Sequence, residues 1–592
     1  MIRRSSDRPS VVHSRITNYS SERAAEGDVL DGRRTRKSLY GRLGYPGRGM
    51  WNDLKSRSPY YVSDWVDAYN YRVVPATAFV FFSNVLPGIA FSLDLIETTG
   101  KYGVNEVLLS TFISAFVFSI FGAQPLCILG VTGPITVFNK VIYDIFNGME
   151  SGPDYHNFIG WTYLWAAIMH IVFAVFGGCN FLKYVTRYPC ETFGFYVSWV
   201  YLQYGVQVIT RQFPLPLSSS FLSIILAILT LVVGHVFNLV STQPYFHRHV
   251  RRFIADYGMP ISVVACSGLA YWGRFHVGID VEETRLPFQP AFMPAEGRQW
   301  LVRFWSLEGK WVGVSFPFGF VLFVLFAFDH NVSSLIAQGS EFPLKKPPGF
   351  HWDFFLLGIT TFIAGLLGIP APNGLIPQAP MHTQSLVVMG FCQKKIDVDE
   401  DTDDVESGID VPDPASGTNV GAEKANGGGE ARKGKEERPV GVVEQRVSNL
   451  LQGSACLVLM TGPFLKLLHW VPKGVLAGLF WLMGSGALAG SGVTALILYC
   501  IQDRTLIPTD EPLRRVRLSR VYMWLALELI GFAATFAITQ TIAAIGFPIV
   551  ISLLIPVRIW IIPRLPFTPE ELAILDGPTA SPFTMESVGG SI

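Results

Sequence analysis

The chain has 592 residues, 50% of them hydrophobic and only 16% charged, and its 46 basic and 46 acidic side chains cancel. A soluble chain carries about a quarter charged residues, whereas here the apolar residues gather into runs of the roughly 20 that a bilayer-spanning helix needs. A soluble globular protein is excluded, and zero net charge gives no reason to expect a nucleic-acid partner.

In chain order, residues 1–60 are polar and basic, with RRTRK at 33–37. They lack the apolar core and cleavage site of a secretory signal peptide and read as a disordered basic cytoplasmic tail. Apolar runs follow near 73–93, 105–123, 127–145, 159–177, 192–210, 219–240 and 258–274, which makes 61–274 a first membrane repeat. An external loop is expected over 275–310, where WLVRFW at 300–305 suits an interfacial position. The runs resume near 311–338, 352–369 and 371–391, so 311–392 reads as the first part of a second repeat. Residues 393–446 contain no aromatic residue and include the acidic run DVDEDTDDVE at 397–406. Such a composition cannot bury a core and reads as a disordered cytoplasmic linker. Runs near 450–467, 471–492, 519–539 and 541–562 complete the second repeat over 447–563, and 564–592 is a cytoplasmic C-terminal tail.

The fold expected is therefore all-α and polytopic, with 14 transmembrane spans arranged as seven and seven. Basic loops at KYVTR (183–187), HRHVRR (247–252), Lys345–Lys346 and RRVRLSR (514–520) alternate with acidic or mixed ones, which places both termini in the cytoplasm. An odd number of spans per half inverts one half relative to the other. Seven dispersed cysteines provide no disulfide framework and no metal-binding spacing.

Two spans carry the same helix-breaking pattern, LG-x-x-x-P, from Leu129 to Pro134 and from Leu367 to Pro372. Interrupted segments at corresponding positions of two halves point to a transporter's binding site. A helix that starts in mid-membrane leaves N–H groups unpaired and carries about half a positive charge at that end. Two such ends suit a monovalent anion. Thr132, Gly133 and Asn373 lie at the breaks, and Gln378 and His382 share one face if their segment is helical. Asp329 sits deep in FVLFVLFAFDHNVSSLIAQ, and an intramembrane carboxylate marks an ion or proton path by default. Because an ionised Asp329 would oppose an anion beside it, it is expected to bind a proton or pair with a cation, H+ or Na+. An intramembrane enzyme would leave the repeated breakers unexplained, and no HExxH or GxSxG motif, metal site or cofactor motif is present.

The stretches NVLPGIAFSLDL, GVNEVLLSTFISAFVFSIFGAQPLCILGVTGPITVF, FDHNVSSLI, GLLGIPAP, QSLVVMG and EQRVSNLL resemble the bicarbonate-transporter (anion-exchanger) superfamily, over about 60 to 563. Within it the chain looks like the borate-transporter branch of fungi and plants. It departs from the animal exchangers in having only a short basic segment before the first span, and in having Gln378 where some chloride/bicarbonate exchangers place an arginine. The resemblance implies an inverted repeat split into a core domain (spans 1–4 and 8–11) and a gate domain (spans 5–7 and 12–14), with two half-helix spans. It also implies homodimers through the gate, elevator-like motion of the core, and borate export across the plasma membrane, the vacuolar membrane being the alternative location. Substrate would sit between Thr132–Pro134 and Asn373–Gln378, with Asp329 and Asn84 facing it. Bicarbonate is the alternative substrate, and a passive channel is a further reading that a single central site disfavours.

Overall fold

The computed structural model describes residues 46–243, 246–272, 281–393, 435–508 and 511–589. Two short helices, α1 (Arg48–Arg57) and α2 (Tyr61–Val66), precede the long helices α3 (Val73–Thr99), α4 (Val104–Phe121), α6 (Tyr155–Val175), α7 (Arg187–Thr210), α8 (Leu217–Thr242) and α9 (Arg248–Leu269); the shorter α5 (Gly133–Asn147) lies between α4 and α6. The second half supplies α10 (Gly309–Ala337), α11 (Phe350–Leu367), the short α12 (Gln378–Ser385), α13 (Val447–Leu459), α14 (Gly462–His469), α15 (Lys473–Ala489), α16 (Gly492–Ile501), α17 (Leu518–Thr539) and α18 (Phe547–Ser552). Two small helices, α19 (Pro569–Leu575) and α20 (Pro582–Glu586), close the chain.

Among the described residues, eight helices are long and apolar enough to cross a bilayer. The count reaches ten if the pairs α13–α14, bent by 92°, and α15–α16, bent by 64°, are one span each. The chain is a multi-pass helical membrane protein. Of the remaining sequence-predicted spans, α5 and α12 are shortened by their breaks, α7 is diluted by Tyr and Gln, and α9 opens on arginines.

Both breaks have the same structural solution. Residues Leu129–Gly130 (β1) and Asn373–Gly374 (β2) pair antiparallel, Leu129 opposite Gly374 and Gly130 opposite Asn373. Leu375 N–H extends the pairing to the Ile128 carbonyl at 3.0 Å. In a membrane interior every backbone group needs a partner from the protein, and each broken segment supplies the other's.

The helices pack in two groups. The first comprises α3–α6 and α10–α13; the second comprises α7–α9 and α15–α18. They meet along a seam where α3 touches α9 and α15, and α10 touches α18.

Several stretches differ from the sequence reading. Residues 46–60, assigned to a disordered tail, contain α1, whose buried Asp53 carboxylate accepts from the His351 and Trp352 N–H groups at 2.8 and 3.1 Å and so caps α11. Residues 1–45 lie outside the described residues. The span expected over 371–391 is helical only from Gln378 to Ser385. Its continuation Val387–Gln393 (β3) pairs antiparallel with Lys435–Val442 (β4), inside the expected linker. Glu444, Gln445 and Arg446 are buried as well, while 394–434 lie outside the described residues. The loop expected to be external is tied down at 289–295: Gln289 Oε1 accepts from Asn105 N–H at 2.9 Å, and Ala295 N–H donates to Glu106 at 2.6 Å. The C-terminal stretch holds α19, capped by Thr568 and Glu571, and buries Ala580, Met585 and Val588.

Candidate functional site

A cavity of about 340 Å³ opens along the seam between the two helix groups. One wall comes from the first group: Phe91, Thr132, Gly133 and Pro134, Asp329, and Gly374–Pro377. The facing wall comes from the second group, with Tyr196, Tyr201 and Tyr204 on α7 and Phe547 on α18. At the mouth lie Asp94, Lys140, Asp144, Arg211 and Gln540.

Local sequence explains the position of the first wall. Thr132 is extended (φ −103, ψ 158), and Pro134 stands in the first turn of α5, where its missing N–H and fixed φ favour helix initiation. The Thr132 Oγ1 is buried and makes no hydrogen bond. Gly133 leaves room for the Phe91 ring, which a Cβ there would approach to 2.9 Å. Asp329 is 3% exposed; its Oδ2 accepts from Asn373 Nδ2 at 3.2 Å, and its Oδ1 has no partner. Thr132 and Asp329 thus line the cavity beside the N-terminal end of α5, and each holds a buried polar oxygen without a partner.

The other nominated residues sit behind this surface. Asn373 is fully buried; its amide orients Asp329, and its Oδ1 accepts from Gly374 N–H at 2.8 Å. Gln378 Nε2 donates to the Ser83 carbonyl at 3.1 Å and to the Tyr201 hydroxyl at 2.8 Å. Asn84 Nδ2 donates to the Leu129 carbonyl and to Gln452 Oε1, both at 3.3 Å, and so braces β1 from the rear. His382 is engaged with the Leu126 carbonyl at 3.0 Å and Ser448 at 2.7 Å. His330 packs against Phe118 and Phe354.

The tyrosine wall and the mouth were not singled out from the sequence. Phe193, Tyr196, Val200, Tyr204, Gln207 and Arg211 recur at helical spacing along one stripe of α7, which was the available signal. Phe91 reaches across the seam into this wall, with ring centroids 5.0 Å from Tyr201, 4.8 Å from Tyr204 and 4.7 Å from Phe480. At the mouth Asp94 bridges two cations, Lys140 at 2.8 Å and Arg211 at 2.9 Å.

The sequence matches the model of the HCO3- transporter integral membrane domain over residues 45–218, 214–400 and 425–580. The chain belongs to this family. A putative transporter of Schizosaccharomyces pombe is 45% identical over 533 residues, covering 90% of this chain and 96% of its own. Boron transporter 1 of Saccharomyces cerevisiae is 40% identical over 554 residues, covering 92% of this chain and 87% of its own. The band 3 anion transport protein of Rattus norvegicus is 26% identical over 566 residues, covering 91% of this chain and 56% of its own. Among solved structures, the transmembrane domain of a cyanobacterial bicarbonate transporter aligns with a TM-score of 0.46 at 12% identity, over 78% of this chain and 95% of that one. The matched regions of the HCO3- transporter family contain every residue of the cavity described above.

Proposed function

We propose that this member of the HCO3- transporter family is a secondary active transporter that exports borate across the plasma membrane. The observation that carries the reading is the seam cavity, where the two broken segments meet and where Thr132 Oγ1 and Asp329 Oδ1 have no protein partner. Tetrahedral borate is a monoanion of hydroxyls that both donates and accepts. Backbone N–H groups at the start of α5 and the Thr132 hydroxyl donate to its oxygens; Asp329 accepts from its hydroxyls. Asp329 takes up H+ or Na+ with the substrate, which relieves the repulsion between carboxylate and anion. Asn373 holds Asp329 in place, Gln378 and Asn84 fix the two breaks, and Gly133 gives the substrate access to the backbone.

The proposed architecture is a 14-span inverted repeat of seven and seven, with the first helix group as a core that moves, elevator-like, against the second as a gate. Homodimers would form through the gate. With both termini cytoplasmic, the mouth at Asp94, Lys140 and Arg211 faces outward. The identity to Boron transporter 1 of Saccharomyces cerevisiae supports borate. The family description supports bicarbonate as the second reading.

Reconstitution into liposomes tests both. Boron flux is compared with bicarbonate flux for the parent, Asp329→Asn and Gln378→Ala. Borate flux lost in both variants supports substrate and site together. Bicarbonate flux without borate flux moves the assignment to the second reading, and borate flux indifferent to both substitutions places the site elsewhere.

A further inference from the structure

The end of the chain lies across the same seam as the cavity, at the opposite end of α7. The mouth stands beside Arg211, just past the last turn of α7, whereas residues 576–580 run over its first turn. The 24 residues of α7 separate the two places by roughly 36 Å, at about 1.5 Å per residue. On the α7 side, Arg187 N–H donates to the Gly577 carbonyl at 3.3 Å, and Thr186 bridges to Pro578. Asp576 accepts from Tyr188 N–H at 3.1 Å and from Arg558 Nε at 2.8 Å. Thr579 Oγ1 lies 3.5 Å from the Sγ of Cys190 beneath it.

The very next atoms hold the other helix group. Ser340 N–H, just past the end of α10, donates to the Thr579 carbonyl at 3.2 Å, and Gly339 bridges to Ala580. Beyond this point Ala580, Thr584, Met585 and Val588 are all buried, with at most 2% exposure. Three consecutive residues, Pro578 to Ala580, therefore join the start of α7 in the second group to the end of α10 in the first. A stretch only resting on the surface would bury neither its backbone nor its apolar side chains.

We propose that residues 576–589 are a clasp that holds the two helix groups together on this face while the cavity is open on the other, and that must let go of one group before the cavity can open here. The inference rests on the alternating-access reading given above. It adds to that reading a specific element of the chain that sets which face is shut.

The test uses the full chain with Gly339→Cys and Ala580→Cys together, at positions that already face each other in a bridge. With the disulfide confirmed by mass spectrometry, borate flux in proteoliposomes falls to background and returns when the bond is reduced. Equal flux above background in the two redox states overturns the proposal. A second measurement does not depend on the substrate. Cys190 is 3% exposed under Thr579, so its alkylation by a maleimide reports clasp opening, with the partly exposed Cys500 as reference. Asp576→Ala, which removes the contacts to Tyr188 and Arg558, raises the Cys190 rate by at least about tenfold, since even one of these two charge-assisted hydrogen bonds is worth that much. An unchanged rate overturns the clasp. A parent protein that moves no borate while Asp576→Ala still exposes Cys190 sinks the substrate reading and leaves the clasp standing.

Discussion

Gln378 on α12 and Tyr201 on α7 are joined across the seam by a hydrogen bond of 2.8 Å, and the same amide holds the Ser83 carbonyl at 3.1 Å. The residue that follows the second break is thereby tied both to its own helix group and to the wall it faces. In the proposed elevator-like motion, one group sliding past the other breaks the Tyr201 contact while keeping the Ser83 one. Tyr201→Phe removes a hydrogen bond worth about 1 kcal/mol net, a shift of roughly fivefold away from the conformation seen here. The rate at which a cysteine at the mouth, introduced as Gln540→Cys, reacts with a membrane-impermeant reagent should fall, by up to that factor. An unchanged rate would mean that the bond does not bias the two states.

Asp329→Asn keeps the shape of the side chain but removes its charge. Asn373 can still donate to the new amide oxygen, so the break itself should survive. Borate flux is expected to drop about tenfold or more, the cost of losing one hydrogen bond to a charged group. The residual flux should no longer respond to pH or sodium gradients. Retention of either gradient dependence in this variant would remove Asp329 from the coupling step.

Gly130 and Asn84 make a second pair whose coupling can be measured. A Cβ at Gly130 would come within 2.4 Å of Asn84 Oδ1 and 3.1 Å of Leu375 Cδ1. Gly130→Ala should therefore destabilise by about 1–3 kcal/mol through overpacking. Asn84→Ala should cost about 1–3 kcal/mol by leaving buried groups without their partner. The double variant should cost less than the sum, because removing the amide makes space for the methyl. Thermal unfolding of the four proteins in detergent gives the cycle, and strict additivity would contradict this account of β1.

The two breaks were legible because Gly and Pro in an apolar run can be read without knowing any partner, and Thr132, Gly133 and Asp329 do line the cavity. Asn373 and Gln378 were equally visible as polar residues near a break, and Asn84 entered through the family resemblance. Sequence position alone does not say which way a side chain turns, and theirs turn to Leu129, Asp329 and Tyr201. The tyrosines of α7 form a readable stripe, but the surface it faces is set by long-range topology. The β3–β4 pairing escaped for the same reason, since Val387–Gln393 finds its partner beyond a long polar stretch. Helix α1 escaped because a ten-residue segment in basic surroundings gains its stability from docking Asp53 on α11, not from its own periodicity.

Asp94 at the mouth pairs with Arg211 across the seam and with Lys140 within its own group. The three side chains are 21–33% exposed, so solvent screens the pairing and each bridge is worth at most about 1 kcal/mol. Arg211→Gln should change the half-saturating borate concentration by no more than about fivefold. The change should disappear near 1 M salt, where screening acts within about 3 Å. A larger, salt-resistant effect would place Arg211 in contact with the substrate.

The charge cluster at the start of α13 behaves differently because it is dry. Arg446 is 1% exposed; its Nε donates to Asp64 Oδ2 at 2.9 Å and its NH1 to the Gly122 and Ser119 carbonyls at 2.6 and 3.1 Å, so it closes the end of α4. Asp64, with no exposure at all, also takes Arg57 at 3.1 Å and Lys346 at 2.8 Å. Removing one member of such a buried set costs up to about 3–5 kcal/mol, because the others lose part of their compensation, although Lys346 keeps Asp67 at 2.7 Å and Arg57 keeps Glu444 at 3.7 Å. Asp64→Asn should be the most damaging change, since three cations lose their shared partner together. Arg446→Lys should rescue little, because an ammonium group cannot reach Asp64 and two carbonyls with one planar fork. Size-exclusion profiles and unfolding temperatures in detergent should rank the parent first, then Arg446→Lys, Arg446→Ala and Asp64→Asn. An Arg446→Lys protein as stable as the parent would show that charge alone, and not the geometry of the guanidinium, joins α2 and α4 to the start of α13.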